Sequence, residues 1–269
     1  MRGALLALLL LAAPGEPASA SQAYRGDFWK NQRARWFVAP QLSSGALQAA
    51  RVAVGRGRPE WVWGGASGNA VLTTDFASLS LGPQINWLGI NALVRYERIW
   101  PHVRRMAAVA PRYERSSFRD REQAAAHSSN LHGSIWGFVP AGPTLGLWGI
   151  TVQHFLHQPD KRAIFSETLR FTVERPWAYM PQLAWWRQWQ DGRYLIGPAA
   201  DAVLSPGRPG LWRLGAAAVL KFSHHLSLEA WLTLPVSSPD KISWLTQSWG
   251  SVHLRWVTAT GLPKARGVF

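Results

Sequence analysis

A period of two runs through most of this chain. Runs of about ten residues alternate apolar with polar side chains, and breaks rich in Gly, Pro, Asp and Ser separate them. Asn86, Leu88, Ile90, Ala92, Val94 and Tyr96 interleave with Trp87, Gly89, Asn91, Leu93, Arg95 and Glu97. Thr168, Arg170, Thr172 and Glu174 interleave with Leu169, Phe171 and Val173. In an extended strand this spacing puts one set on each face. One face is apolar and the other repeatedly carries charge. The runs exceed the roughly five or six residues usual for soluble strands. They match the nine to eleven or so that a tilted strand needs to cross a bilayer.

The pattern predicts strands near 35–42, 46–55, 59–65, 71–81, 85–99, 129–139, 144–157, 164–176, 179–190, 193–204, 211–222, 225–236 and 247–258. Turn chemistry falls between them, at Gly142-Pro143, Gln158-Pro159-Asp160, Gln190-Asp191-Gly192, Pro206-Gly207, Pro209-Gly210 and Pro239-Asp240. No helical run links strands as a parallel sheet requires. In lipid a spanning sheet must close on itself, and single-chain bacterial barrels carry an even strand number. The expected fold is all-β, a closed antiparallel transmembrane barrel of about 12 strands, with ten or fourteen open. In this the chain resembles the bacterial outer-membrane β-barrel proteins, Gram-negative and porin-like.

The first residues point to the same compartment. Arg2, an apolar stretch from Leu5 to Ala13 and the small-residue triplet Ala18-Ser19-Ala20 form a signal peptide over 1–20. That stretch is too short to span a membrane. Residues 21–34 read as a periplasmic lead-in and 35–269 as the barrel, ending in an aromatic residue, Phe269. Loss of 1–20 removes Arg2 and Glu16, so the net charge stays at +14. Export makes nucleic acid an unexpected partner for this charge. With 0 cysteines the chain has no disulfide framework and no thiolate metal site. No metal or other cofactor is expected. The 17 tryptophans suit aromatic girdles at the two membrane interfaces. The competing reading is a soluble periplasmic protein that binds glycans through Trp.

Charge facing hydrocarbon is costly, so the charged sets must turn inward. This predicts Arg95, Glu97, Arg170, Glu174, Arg187, Arg213, Lys221, Glu229 and Arg255 in the lumen. It predicts Leu88, Ile90, Val94, Leu169, Phe171, Val173, Leu226, Leu228, Leu232, Leu234, Leu254 and Trp256 outside. Glu97, Glu167, Glu174, Asp201 and Glu229 can pair with lumen arginines, which yields either a salt-bridged structural or scaffold barrel or a narrow channel favouring small anionic solutes. From about Trp100 to Ser128 the alternation stops. This long loop carries Arg104, Arg105, Arg112, Arg115, Arg119 and Arg121, a basic surface for anions such as the phosphates of outer-membrane lipid and lipopolysaccharide. Envelope protein partners remain open.

One motif points to chemistry. His127-Ser128-Ser129-Asn130 is similar to the His-x-Ser-Asn signature of outer-membrane phospholipase A and lipid A deacylase. The resemblance implies a lipid acyl-ester hydrolase, with Ser129 as nucleophile, His127 as base and Asn130 as a positioning residue. Period-two spacing would put His127 and Ser129 on one face, where imidazole can take the serine proton. Leu131 follows Asn130, and Pro140-Ala141-Gly142-Pro143 supplies no third polar partner. His132 and Ser134 repeat the spacing.

Overall fold

Twelve strands close into one antiparallel barrel, each bonded only to its neighbours along the wall. The structure, a computed structural model, describes residues 29–45, 47–73, 76–101, 107–108, 128–156, 163–166, 168–173, 176–240 and 244–258. The expected leader 1–20, the loop arginines from Arg104 to Arg121, His127, Glu167, Glu174 and Phe269 lie outside the described residues. The wall strands are β1 (Arg35–Gly45), β2 (Gln48–Arg58), β3 (Val62–Leu72), β4 (Phe76–Trp87), β5 (Ile90–Pro101), β7 (Ser128–Ala141), β8 (Thr144–Phe155), β11 (Trp177–Trp189), β12 (Tyr194–Val203), β13 (Leu211–Lys221), β14 (Leu226–Ser237) and β15 (Trp249–Trp256). A separate three-stranded sheet joins β6 (Ala107–Ala108), β9 (Ala163–Ser166) and β10 (Phe171–Val173). β1 closes on β15 from Gln41↔Arg255 to Gly45↔Ser251, and Thr258 N–H to the Val38 carbonyl (2.9 Å) extends that seam.

The outer face follows the period of two. Val38, Val52, Val54, Leu79, Leu81, Ile85, Val94, Leu183, Leu214, Leu232 and Leu254 are large, apolar and exposed. An apolar belt this extensive on a closed barrel is a lipid-facing surface. Exposed tryptophans bound it. Trp36, Trp87, Trp189 and Trp256 stand at one set of strand ends, and Trp100, Trp177 and Trp212 at the other. Such rings favour the membrane–water boundary.

The two ends differ. At one, strands join through the short segments 59–61, 88–89, 142–143, 190–193 and 222–225. At the other, besides the tight connections 46–47 and 73–75, run 102–127, 156–176, 204–210 and 238–248. The β4–β5 turn needs positive φ at both central residues, Leu88 (φ 52) and Gly89 (φ 86), the geometry that matches strand twist.

Three sequence expectations are corrected here. The expected strand 85–99 is a hairpin folded at Leu88-Gly89, because turn residues inside an alternating run leave its parity intact. The expected strand 59–65 is the entry to β3, whose body reads Gly64-Gly65-Ala66-Ser67-Gly68 and lacks visible alternation. The expected strand 164–176 is not part of the wall. It folds into β9, a turn at 168–170 and β10. Leu169, Phe171 and Val173 are buried, not outside, packed on Phe155, Ala178, Val203 and Leu211.

Two outcomes are expected. Leu81→Arg puts a guanidinium at mid-strand on the apolar face and costs about 2–4 kcal/mol, measured as a lower urea midpoint in lipid vesicles. A Cβ on Gly82 would stand 1.9 Å from the Val94 carbonyl oxygen, whereas one on Gly64 meets nothing closer than Ile85 at 3.8 Å. Gly82→Ala therefore lowers the heat-modifiable folded fraction on cold SDS gels, and Gly64→Ala leaves it unchanged.

Candidate functional site

The inward face is filled by an apolar cluster near each end. At the long-loop end, β10 lies inside the wall and all three of its residues are buried. Its side chains complete an apolar cluster with the upper residues of β8, β11, β12 and β13. Polar clamps fix it. The buried Arg213 is ion-paired with Asp201 across β12 and β13. It also donates to the carbonyls of Leu169 (3.3 Å) and Gln247 (3.2 Å). Thr233 donates to the other Asp201 oxygen at 2.6 Å. Arg208, ion-paired with Asp240, donates to the Thr172 carbonyl at 3.1 Å. Asp240 in turn accepts from the Thr172 N–H at 3.4 Å. The carbonyls of Leu169 and Thr172 and the Thr172 N–H thus find partners among wall and loop side chains.

At the short-turn end, Trp29 enters from the N-terminal side. It packs with Phe37, Ala39, Ala53, Trp63 and Val257 and meets the His225 ring edge-on at 5.1 Å. Arg58 holds this segment through the Lys30 carbonyl (3.0 Å), and Arg35 through the Gln32 side chain (3.0 Å). In the turn 222–225, burial, then the positive neighbours His225 and Lys221, hold the His224 imidazole below its ordinary pKa.

Between the ends the lumen has two halves. On β8 and β11–β14 it is lined by Ala184, Trp186, Leu195, Ala199 and Ala217, with Leu145, Leu147 and Trp231 against them. Phe138 lies against Trp186, at 6.1 Å between ring centres, yet is 37% exposed. An inward ring with that exposure borders open space. The other half is polar. Glu97 accepts from Ser78 (2.7 Å) and Asn130 (3.0 Å) and is bonded to His132 (2.6 Å). Arg95 donates twice to Ser67, at 3.0 and 2.7 Å. Arg51 donates to Gln84 (2.9 Å), which donates to Asn91 (3.1 Å). His253 is bonded to Ser43 (2.6 Å) and Ser251 (2.8 Å). Arg255 donates to Glu60 at 2.7 Å.

The wall parity places Arg95, Glu97, Arg213, Lys221, Glu229 and Arg255 on the inward face. Two expected lumen residues stand elsewhere. Arg187 is exposed on the same face as Leu183 and Trp185, with its guanidinium 5.6 Å from the Trp189 ring. It sits near the end of β11, where a long side chain can reach the interfacial water. Arg170 belongs to the hairpin turn at φ 56, not to a wall strand.

Ser129 and Asn130 take opposite faces. Asn130 points inward onto Glu97. Ser129 is 3% exposed and accepts from the hydroxyl of Tyr96, itself on the outer face beside Val94. His132 shares Asn130's face and cannot serve Ser129. Among the described residues no histidine is bonded to Ser129, and no group of three or more His, Asp or Glu is placed to hold a metal ion. The sequence reading missed Arg51, Gln84, Ser67 and His132 as lumen residues. The signal was present for Arg51, Gln84 and His132, each beside an outward apolar neighbour such as Val52, Ile85 or Leu131, whereas Ser67 lies in the Gly/Ala run of β3 that lacks it.

No protein-family model matches the chain, and no curated protein matches it. Among solved structures, CdiB from Acinetobacter baumannii aligns with a TM-score of 0.40 and 10% sequence identity, over 84% of this chain and 60% of CdiB. The chain therefore spans less than two thirds of that protein's length.

Removing one member of a buried ion pair leaves the other charge uncompensated, at about 3–5 kcal/mol. Asp201→Ala is expected to lower unfolding stability by that order. Arg187→Ala, on the outer rim, stays within about 0.5 kcal/mol of wild type; both are measured by urea unfolding.

Proposed function

We propose that this protein is an integral outer-membrane barrel acting as a narrow, anion-preferring conduit, capped at rest by the β9–β10 hairpin. The observation that supports this reading is a hairpin inserted at one end of the lumen and held, among the described residues, by the Arg213–Asp201 and Arg208–Asp240 pairs beside its apolar packing. A barrel whose role was purely structural has no need of inward rings that border open space. Arg51, Arg95, Arg213, Lys221 and Arg255 face Glu97, Asp201 and Glu229 along the lumen wall, and such a surplus raises the local anion concentration. In the expected orientation the long connections face the cell exterior and the short turns the periplasm. The basic loop would then meet the phosphates of lipopolysaccharide.

A structural role in an envelope assembly is the second reading, favoured by the apolar packing at both ends. Planar-bilayer recording of the purified protein separates the two. Wild type is expected to show small anion-biased currents, and Arg208→Ala with Asp240→Ala is expected to raise the open probability. A folded, heat-modifiable barrel that stays silent in both forms would overturn the conduit reading in favour of the structural one.

A further inference from the structure

Two lumen arginines stand apart from the others. Arg213 and Arg208 are ion-paired to buried aspartates, and Arg255 to Glu60. Arg51 and Arg95 each have only a neutral acceptor, the amide oxygen of Gln84 and the hydroxyl of Ser67. Among the described residues neither has a carboxylate within ion-pair distance.

The register places the acceptors of the two arginines on neighbouring strands. Arg51 on β2 reaches over β3 to Gln84 on β4, and Arg95 on β5 reaches over β4 to Ser67 on β3. Ser67 is paired with Gly82, two residues before Gln84. The two acceptor residues are therefore diagonal neighbours, with Cα atoms about 7–8 Å apart by sheet geometry. Gly82 has no side chain to stand between them. Arg51 senses Arg95 and Arg255 as like charges, with Glu229 as the opposing one. Glu97 opposes Arg95 and Glu229 opposes Arg51 without a direct hydrogen bond; Glu97 is bonded to Ser78, Asn130 and His132, and Glu60 to Arg255.

A guanidinium has five N–H donors in a planar fork. Arg51 commits one to Gln84, and Arg95 directs two at a single hydroxyl oxygen. Uncommitted donors of this kind suit a small planar or tetrahedral oxyanion, which arginine binds through paired N–H bonds. Arg51 is half-buried and faces the lumen, while Arg95 lies deeper.

We propose that Arg51 and Arg95 form an oxyanion-binding site on the lumen wall, selective for small phosphates and carboxylates over halide. The site rests on the conduit reading only for the route by which the anion arrives, because binding can be measured on the isolated barrel.

The test is calorimetric titration of inorganic phosphate into the folded protein in detergent, with chloride at equal ionic strength as reference. Saturable phosphate binding is expected. Arg51→Gln and Arg95→Gln should each weaken it by about tenfold or more, with the barrel still heat-modifiable. Arg187→Gln, on the outer rim, should not change it. Arg51→Lys retains the charge but loses the fork. It should still fold and should lose the preference for phosphate over chloride, which keeps the proposal testable should Arg51→Gln fail to fold. No saturable binding by folded wild type, or binding unchanged in Arg51→Gln and Arg95→Gln, would overturn the site. Binding by a barrel that never conducts overturns the conduit and keeps the site. Anion-biased current with no phosphate binding does the reverse.

Discussion

In hydrocarbon no water is available to satisfy a backbone amide, so every N–H and C=O of a spanning strand must find its partner in the protein. The rest of this structure follows from that requirement. β1 must meet β15, although the seam between them is short and relies on Thr258 beyond the last strand to complete it. Positions such as Gly82 follow from it too, since close approach of β4 to β5 leaves no room for a Cβ.

Closure divides the side chains into two populations with different solvents. Outside, Leu81, Val94 and Leu254 meet lipid, and charge is tolerated only near the strand ends, as at Arg187. Inside, charge is tolerated where it is paired. Glu97 has three hydrogen-bonded partners, and Asp201 is held between Arg213 and Thr233. The lumen is not uniform, because an aromatic half lined by Trp186 and Trp231 faces a half built from serines, amides and guanidiniums. In the polar half Arg51 and Arg95 hydrogen-bond to neutral acceptors rather than to carboxylates.

The β9–β10 hairpin shows how a sequence pattern can be correct in period and misplaced in space. Leu169, Phe171 and Val173 alternate with polar neighbours as a lipid-facing strand would. Their apolar face is buried against the inside of the wall instead, and Arg213 and Arg208 satisfy the backbone that membrane neighbours would have paired. Alternation reports that one face of a strand is apolar. It does not report whether lipid or protein covers that face.

The period of two, the absence of helical runs and the length of the strands were enough to point to an all-β closed barrel of about 12 strands, and to assign Arg95, Glu97, Arg213 and Arg255 to the face opposite the apolar one. These follow from local geometry, since strand parity is a property of neighbouring residues. The tertiary structure alone decided that Arg170 belongs to an inserted hairpin, that Ser129 and Asn130 serve opposite faces, and that Arg51 and Arg95 take acceptors on neighbouring strands. Each of these depends on register between strands or on a loop folding back across the lumen, and contacts between residues distant along the chain leave no periodic trace in it.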